Sequence, residues 1–435
     1  MSTYREPNSN TSLGEAGSTK DRPAHGNDSR SSSRYYYLDA ARAILMTLGI
    51  FIHAADVYSV RSPWIVHDVQ TGRFFDILGW TIHLFRMPSF YMIAGFFCAF
   101  SLRRYGVLAF LKLRSIRIGV PLVVTALLIN NCQALFQLWF QRAHPLSAPW
   151  PISSVKSTWL NGTWLFHLWF LVYLLLYLYI AAGAFHFAPS VIGRVGTKLA
   201  RLPEPVILMA MPFASLCAHA VVVVAPMLKT SILGFIQLPL FLDYSPFFAY
   251  GYFCFVRGNR VFCSSWTVAV WLLALGVGGS IPDVLDGRGI LGNYCYYAQT
   301  WGASLLCLTV FQKCLNRTSS AFRSLSDASY SIYLFHHIVV VVLGALLVDM
   351  AWVGAPAKFA TVVIATFAAG LILHKYAVSR YRLLSLLFNG RTTLPGESQN
   401  RPHKSSGSDR CGSSLAKQPS RMRKNSLQQV TGEMM

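Results

Sequence analysis

The sequence predicts an all-α integral membrane protein with about ten transmembrane helices and both termini in the cytoplasm. Its 435 residues are 54% hydrophobic and only 13% charged, which is the balance of a membrane protein. Apolar runs long enough to cross a bilayer recur along most of the chain. Between these runs, Lys and Arg residues concentrate in every second loop, as cytoplasmic loops require.

Ten apolar runs have the length that a membrane-spanning helix needs, about 20 residues. The predicted spans are 38–60, 74–100, 118–141, 163–187, 204–225, 240–257, 262–281, 295–314, 329–351 and 355–378. The sixth is interrupted by Pro239, Asp243 and Pro246. Even-numbered loops are richer in Lys and Arg than their neighbours, which places both chain ends on the cytoplasmic side.

The two ends of the chain differ in composition from this apolar part. Residues 1–34 and 391–435 are polar and rich in Ser and charged residues. We therefore predict two disordered cytoplasmic tails, the second of them basic. Residues 35–390 between them form a single membrane domain that contains all ten predicted helices.

The net charge of +21 does not indicate a nucleic-acid-binding protein. The sequence has no basic groove with interleaved stacking aromatics, and its charge lies in the tails and between apolar runs, where membrane topology explains it. The nine cysteines are scattered, without a CxxC pair or a Cys/His cluster at zinc spacing. We therefore expect no nucleic-acid partner, no disulfide framework and no metal.

Two ionisable residues in the first span indicate a functional site. Arg42 and His53 are eleven residues apart, so in an α-helix they lie within about 20° of the same face and about 16 Å apart along the axis. Because polar groups in hydrocarbon are costly, they normally face a protein interior and mark a functional path. Alternatively, Arg42 reaches the membrane interface and His53 is an ordinary packing histidine.

Histidines in two further spans fall at a depth similar to that of His53. In the predicted orientation, His83 and His167 both lie in the outer half of the membrane, and Arg86 lies one turn below His83 on a shared helix face. Imidazole is the side chain best suited to proton transfer near neutral pH. Three histidines at one depth, above arginines, favour a reaction or transport site over separate packing residues.

Basic residues at the cytoplasmic side suggest a second site. Arg114 and Arg117 lie one helical turn apart in LKLRSIRIG. Paired guanidinium groups bind phosphates well, because each offers a planar fork of donors. The alternative is that these residues only satisfy the positive-inside rule.

The ninth span adds two adjacent histidines, His336 and His337, in SDASYSIYLFHHIVV. Neighbouring residues on a helix point in different directions. Of the two, we expect His336 to line the cavity.

Five motifs together resemble membrane-bound acyltransferase family 3 in their order and spacing. They are Arg42-x10-His53, FRMPSFYMIAGFF after His83, Arg114-x-x-Arg117, HLWFL at 167–171 and SYSIYLFHH at 329–337. The resemblance covers about 38–390 and is closest to a branch of succinyltransferases that act on osmoregulated periplasmic glucans, whose RYRLLSLLFNG ending the chain shares. Ala94 stands where the family often has Ser, although a small residue beside Gly95 still permits close helix packing.

The resemblance implies an O-acyltransferase of the bacterial inner membrane. Such an enzyme takes an acyl group from a cytoplasmic acyl-CoA, either succinyl-CoA or acetyl-CoA, and places it on hydroxyls of an extracytoplasmic glucan or other carbohydrate. We expect the succinyl group. Acyl-CoA would be a co-substrate, with no bound cofactor. The expected partners are the carbohydrate acceptor and the lipid bilayer, and the resemblance also admits other glucan-synthesis proteins.

The resemblance also implies roles for the residues singled out above. His53 would be the catalytic histidine, acting as general base on the sugar hydroxyl or as a transient acyl carrier. Arg42 would hold the donor or orient the site, and Arg86 with His83 would stabilise negative charge on the thioester oxygen. The remaining site residues would contact the coenzyme A phosphates (Arg114 and Arg117) or line the cavity (His167 and His336).

Two other classes of protein are compatible with the same residues. A ten-helix secondary transporter would use the intramembrane His and Arg residues for proton or anion movement, and it would carry inverted repeats and broken helices. A scaffolding protein would use its basic tails on anionic lipid, but that function does not explain the aligned histidines.

Overall fold

The computed structural model of the protein describes residues 36–61, 64–225, 231–232, 235–257, 266–286, 289–316 and 319–392. The predicted disordered tails, 1–34 and nearly all of 391–435, lie outside the described residues. Within the described part, almost all of the chain is helical. A short antiparallel sheet pairs Ser231 with Gln237 and Ile232 with Ile236.

The α-helices follow one another along the chain with few extended connections. They are α1 (Tyr36–Val57), α2 (Arg73–Tyr105), α3 (Val107–Arg114), α4 (Val120–Leu127), α5 (Ile129–Ala143), α6 (Val155–Leu160), α7 (Trp169–Phe187), α8 (Pro189–Arg201), α9 (Glu204–Val224), α10 (Leu238–Val256), α11 (Trp266–Asp286), α12 (Ile290–Leu315), α13 (Ser320–Leu347), α14 (Ala355–Leu373) and α15 (Arg382–Asn389). Strands β1 (Ser231–Ile232) and β2 (Ile236–Gln237) precede α10. The π-turns are Ser115–Gly119 and His374–Val378, and the 3-10 turns are Pro145–Ser147 and Thr163–Leu168.

Every predicted span overlaps a helix of the described structure. Among the described residues, six helical segments are long and apolar enough to cross a membrane. They are Tyr36–Val57, Arg73–Tyr105, Thr163–Phe187, Glu204–Val224, Ser320–Leu347 and Ala355–Val378. The protein is therefore a multi-pass membrane protein. The count of ten crossings and the cytoplasmic position of the termini stay predictions.

The third predicted span is not one continuous helix. The segment from α3 to α5 is interrupted by the π-turn at Ser115–Gly119 and again at Leu128. Pro121 has no N–H to donate to the carbonyl group of Arg117, so the helical hydrogen-bond ladder is disturbed at this point. The sixth predicted span is the continuous helix α10, which accommodates Pro246 in its interior.

Small residues allow close packing where α2 crosses α10. Helix α1 lies against α2 and α13, and α2 lies against α10. At the crossing of α2 and α10, a Cβ atom on Gly95 would fall 2.1 Å from the carbonyl oxygen of Phe248, and one on Gly251 would fall 1.9 Å from that of Met92. Neither position has room for a side chain, as is common where membrane helices cross. The close packing predicted at Gly95 is confirmed.

Candidate active site

One face of α1 runs past two cavities. Arg42, Met46, Gly49 and His53 are spaced by four, three and four residues, which keeps them on the same side of the helix. Arg42 and Met46 line the first cavity, and His53 lines the second. The shared face predicted for Arg42 and His53 agrees with these positions. We name the two spaces the arginine cavity and the histidine cavity.

The arginine cavity is lined by three guanidinium groups, those of Arg42, Arg114 and Arg117, and has a volume of about 110 Å³. Arg42 lies beside Asp39, with 3.7 Å between nitrogen and oxygen, and Arg114 donates a hydrogen bond to the hydroxyl of Ser101 at 3.1 Å. Most of the remaining wall is apolar and includes Phe90, Ala94, Phe97, Leu171 and Leu174. Cations beside an apolar wall suit a ligand that has both phosphate groups and an apolar part.

Helix α15 packs against the segment that carries Arg114 and Arg117, which we call the arginine pair. Gly390, the residue after α15, has a φ angle of +58°, and a Cβ atom there would fall 2.4 Å from the Cα atom of Arg117. Only a residue without a side chain permits both this backbone conformation and this approach. The chain therefore depends on glycine at the point where α15 meets the π-turn at Ser115–Gly119.

Hydrogen bonds hold α15 in this place. The hydroxyl of Ser331 on α13 donates to the side-chain oxygen of Asn389 at 3.0 Å and is also bonded to the ring of His374 at 2.9 Å. Arg391, which the sequence assigned to the tail, forms an ion pair with Asp327 at 2.9 Å. The SYSIY and RYRLLSLLFNG motifs are therefore in contact in the structure. Their contact holds α15 against the segment that carries Arg114 and Arg117.

The histidine cavity is larger, with a volume of about 760 Å³. Its wall combines imidazole rings, large aromatic rings and side-chain amides. The imidazole rings are those of His53, His167 and His337. The large aromatic rings include Trp64, Trp150, Phe166 and Trp169, and the amides include Gln137, Asn161 and Gln237. Cavities of this size, with aromatic walls and a few polar groups, are typical small-molecule sites.

Four imidazole rings meet at the side of this cavity nearest to α1. The ring of His53 lies 5.4 Å from that of His336 and 4.8 Å from that of His337, between centroids. The ring of His167 lies 5.0 Å from that of His336 and is stacked on His337 at 4.7 Å. His167, His336 and His337 are at most 6% exposed, whereas His53 is half-buried at the cavity wall. Residues from three separate parts of the chain thus form one histidine cluster.

His53 has a carboxylate partner one helical turn away. Its Nδ1 atom lies 3.3 Å from Oδ2 of Asp56. A proton on Nδ1 that is donated to this carboxylate leaves Nε2 as the ring nitrogen available to a substrate, which is the arrangement of a histidine general base. Asp56 was not among the residues predicted from the sequence, although its i+3 spacing in HAAD was a usable signal.

His167 lies on a strained turn instead of on a regular helix. It belongs to the 3-10 turn at Thr163–Leu168, in which Phe166 has a φ angle of 44° and a ψ angle of −112°. Such conformations are costly for a residue with a side chain, and they cluster at functional sites. The hydroxyl of Tyr333 donates to the carbonyl oxygen of His167 at 2.7 Å. Neither ring nitrogen of His167 has a hydrogen-bond partner among the described residues.

The two adjacent histidines of α13 both join the cluster. Nδ1 of His336 lies 2.6 Å from the carbonyl oxygen of Tyr333, one turn earlier, whereas Nδ1 of His337 lies 2.7 Å from the side-chain oxygen of Gln133 on α5. His337 is part of the cavity wall, and His336 lies behind it towards Arg86. The sequence analysis expected His336 to line the cavity, whereas His337 lines the histidine cavity, beside Gln133 from 204 positions earlier in the chain.

Arg86 is a buried cation between the two cavities. Its side chain is 8% exposed, and Nε donates to the carbonyl oxygen of Leu45 at 2.8 Å. Nη1 lies 3.7 Å from the sulfur of Met87. No carboxylate of the described residues pairs with this guanidinium group. A buried charge without a counter-ion is costly, so its surroundings suit an anionic ligand or an anionic transition state.

A protein-family model described as an acyltransferase domain matches residues 35–375 of the chain. The chain belongs to this acyltransferase family. Its motifs resembled membrane-bound acyltransferase family 3, and this prediction is confirmed.

Curated relatives of the acyltransferase are named glucans biosynthesis protein C, from Salmonella gallinarum, Salmonella paratyphi A and Salmonella dublin. Each is 26% identical over 386 residues, which covers 84% of this chain and 97% of the relative. No solved structure matches the chain.

The acyltransferase brings most of the predicted site residues into two groups. Arg42, Arg114 and Arg117 share the arginine cavity, while His53, His167 and His336 share the histidine cluster, with Arg86 between the groups. Their roles stay predictions.

His83 belongs to neither group, although it is close enough to Arg86, Asp56 and His53 to interact with them electrostatically. Its side chain is exposed and lines neither cavity, in contrast to the expectation from its sequence spacing. Residues three apart on a helix differ by about 60° around the axis, and on α2 this angle turns Arg86 inward and His83 outward. The catalytic role of His83 stays a prediction.

Proposed function

We propose that this membrane acyltransferase moves an acyl group, with succinyl expected, from a cytoplasmic acyl-CoA to hydroxyls of an extracytoplasmic glucan. The observation that carries the proposal is the pair of cavities along one face of α1, with Arg42 at the first and His53 at the second. A thioester and an alcohol that approach from opposite sides need such an arrangement. The name of the relatives, glucans biosynthesis protein C, supports a glucan as acceptor.

The donor is assigned to the arginine cavity. Coenzyme A carries several phosphate groups, and Arg42, Arg114 and Arg117 present three guanidinium groups there. The apolar part of the same wall suits the pantetheine arm. Arg42 and His53 lie about 16 Å apart along α1, a separation that an extended acyl-pantetheine arm spans. The acyl carbon then reaches His53 while the nucleotide stays at the arginines.

The carbohydrate acceptor is assigned to the histidine cavity. Sugar rings have apolar C–H faces, which pack on aromatic side chains, and hydroxyl edges, which bond to amides. The cavity wall offers both kinds of partner in Trp150, Trp169, Gln137 and Asn161. A hydroxyl of a sugar held there can reach Nε2 of His53.

His53 is assigned the role of general base. Its Nε2 removes the proton of the sugar hydroxyl while that oxygen attacks the thioester carbonyl, and Asp56 stabilises the imidazolium that forms. The C–S bond of the tetrahedral intermediate then breaks, and His53 returns the proton to the leaving thiolate. The products are a glucan ester and free coenzyme A, and the histidine ends neutral as it began.

Arg86 is assigned to the negative charge that develops on the carbonyl oxygen. A preorganised cation in a site without water stabilises an oxyanion strongly, because nothing has to reorient during the reaction. Arg86 meets this description, since it is buried and has no carboxylate partner among the described residues. Its charge also favours an acyl chain that ends in a carboxylate, which supports succinyl over acetyl.

A secondary transporter is the second candidate function. The broken segment from α3 to α5 favours it, because transporters bind their substrates at discontinuous helices. A transporter would move a labelled anion across the membrane without changing it chemically. The enzyme would leave a new ester bond on the glucan.

The test is transfer of radiolabelled acyl groups from succinyl-CoA and acetyl-CoA to glucan in membranes that contain the protein. Wild type is compared with His53→Ala, with the double variant Arg114→Ala/Arg117→Ala, and with His186→Ala as a control at an exposed histidine that lines neither cavity. All are assayed at matched expression.

Wild type and His186→Ala should label glucan, His53→Ala should not, and the arginine variant should need more donor. The preferred donor identifies the acyl group. Equal labelling by His53→Ala would contradict the catalytic assignment. No labelling by wild type with either donor, together with uptake of unmodified anion by proteoliposomes, would favour the transporter.

A further inference from the structure

A buried ion pair outside both cavities holds the segment that connects α1 to α2. Nζ of Lys358 lies 2.6 Å from a carboxylate oxygen of Asp68, and both side chains are 0% exposed. Because two charges must be taken out of water, such a pair adds little to the stability of a fold compared with an apolar pair of the same size. The position of Asp68 suggests that the ion pair serves to position neighbouring residues instead of to stabilise the fold.

Asp68 links the end of α1 to the start of α14. Its backbone N–H donates to the carbonyl oxygen of Val57 at 2.9 Å, and its second carboxylate oxygen accepts from the N–H of Gln70 at 2.8 Å. Lys358 lies in the first turn of α14. The ion pair therefore fixes the connecting segment at a point one helical turn beyond His53.

The same segment carries Trp64, which packs directly on the histidine cluster. The Trp64 ring is stacked on the His53 ring, with 5.4 Å between centroids and 10° between planes. Its edge-on contact with His337 has a centroid distance of 5.1 Å. Trp64 is 7% exposed, so it forms a fixed wall of the cavity. A stacked neighbour of this size limits the orientation of the imidazole plane of His53.

We propose that Asp68 and Lys358 are positioning residues whose ion pair holds Trp64 against His53. This contact keeps the imidazole in the orientation in which Nδ1 faces Asp56 and Nε2 is left for the substrate. The catalytic consequence rests on the proposed function, whereas the effect on the imidazole itself does not. A general base that is displaced by about 1 Å loses rate steeply, although substrate binding elsewhere is unchanged.

The kinetic test uses the double variant Asp68→Leu/Lys358→Met, which removes both charges and keeps the volume. A single replacement would leave one buried charge unpaired and would endanger the fold. We expect kcat for acyl transfer to fall at least about tenfold, with the KM for acyl-CoA unchanged. Trp64→Ala should produce the same change.

A triple variant, which combines Asp68→Leu/Lys358→Met with Trp64→Ala, shows whether the ion pair and Trp64 act through the same contact with His53. If the ion pair acts through Trp64, the triple variant should be no slower than Trp64→Ala alone. If the kcat of the triple variant falls by the product of the two separate fold-losses, the proposal is overturned. A wild-type kcat in the double variant would also overturn it. Trp64→Ala alone keeps the proposal testable if the double variant does not fold, because it must lower kcat without changing the KM for acyl-CoA.

A chemical measurement tests the positioning without any assay of acyl transfer. Diethyl pyrocarbonate modifies accessible imidazoles, and peptide mass spectrometry gives the rate at each histidine. His53 should react several times faster in the double variant and in Trp64→Ala than in wild type, while the exposed His186 serves as reference. An unchanged rate at His53 would overturn the proposal. A wild-type protein that transfers no acyl group would overturn only the proposed function.

Discussion

The guanidinium group of Arg86 and the imidazole of His336 meet over Gly49, which has no side chain to separate them. A Cβ atom on Gly49 would lie 2.7 Å from Nη2 of Arg86 and 3.0 Å from Nε2 of His336. Gly49 lies on α1 between Met46, which lines the arginine cavity, and His53, which lines the histidine cavity. Under the proposed function, an acyl chain that passes from one cavity to the other would meet these two polar groups.

Replacement of Gly49 by Ala should reduce acyl transfer by displacing Arg86 and His336. The added methyl group is too close to both side chains for either to stay in place. We expect kcat to fall by about tenfold to a hundredfold, because the oxyanion loses its preorganised partner. Gly79→Ala is the matched control, since a Cβ atom there has no neighbour within 4 Å. Steady-state kinetics at saturating acyl-CoA measure both variants, and equal kcat values would contradict this role of Gly49.

Replacement of Asp56 by Asn should slow the reaction without weakening substrate binding. The amide retains the size of the carboxylate but does not stabilise an imidazolium at His53, so kcat should fall by about a hundredfold at unchanged KM. The chain offers a control in another histidine–aspartate pair, His144 and Asp349, whose atoms lie 3.5 Å apart outside both cavities. Asp349→Asn should keep wild-type kinetics. A similar kcat in the two variants would show that His53 works without Asp56.

The arginine pair should recognise the phosphates of the donor and not its acyl group. In the variant Arg114→Gln/Arg117→Gln, we expect the KM for acyl-CoA to rise by about tenfold or more, because charge-assisted hydrogen bonds are lost. The KM for an acyl-pantetheine, which has no phosphates, should match that of wild type. Lys112→Gln, an exposed cation in the same segment that does not line the arginine cavity, serves as control. An equal loss with both donors would assign the arginines a structural role.

Replacement of Gly390 by Ala should weaken binding of the acyl-CoA donor by displacing Arg117, although Gly390 itself does not line the arginine cavity. The left-handed backbone costs a residue with a side chain about 1 kcal/mol, and the methyl group would also meet the Cα atom of Arg117. Gly106→Ala separates the two effects, since its φ angle is +74° but its Cβ atom would meet nothing within 4 Å. We expect a raised KM for acyl-CoA only in Gly390→Ala. Equal KM values in the two variants would show that α15 does not position Arg117.

The fold was predictable where the information is local in the sequence. Apolar length identified a helix at each predicted span, because a segment that crosses a membrane must be apolar over about 20 residues. Local patterns could not show the π-turn at Ser115–Gly119 or the strained 3-10 turn at Phe166. Pro121 indicates that the helix is disturbed near the first of them, but the approach of Gly390 to Arg117 joins distant parts of the chain, and no residue pattern marks the positive φ angle of Phe166.

The site was predictable in part for the same reason. The shared face of Arg42 and His53 follows from helical spacing alone, and both residues line the cavities of that face. His337 is buried beside Gln133 on α5, whose side-chain oxygen accepts a hydrogen bond from its ring, and no spacing within α13 reveals this contact. His83 shows the limit of spacing arguments, because its 60° offset from Arg86 was enough to leave it exposed.

The most direct measurement of the central claim is acyl transfer across a sealed membrane. Inverted membrane vesicles expose the cytoplasmic face, and their lumen is loaded with glucan. Radiolabelled succinyl-CoA, which does not cross the bilayer, is added outside. Wild type should place label on the enclosed glucan, and His53→Ala should place none at matched expression. Label on the enclosed glucan in the His53→Ala vesicles, or label that requires donor on the luminal side, would contradict the account.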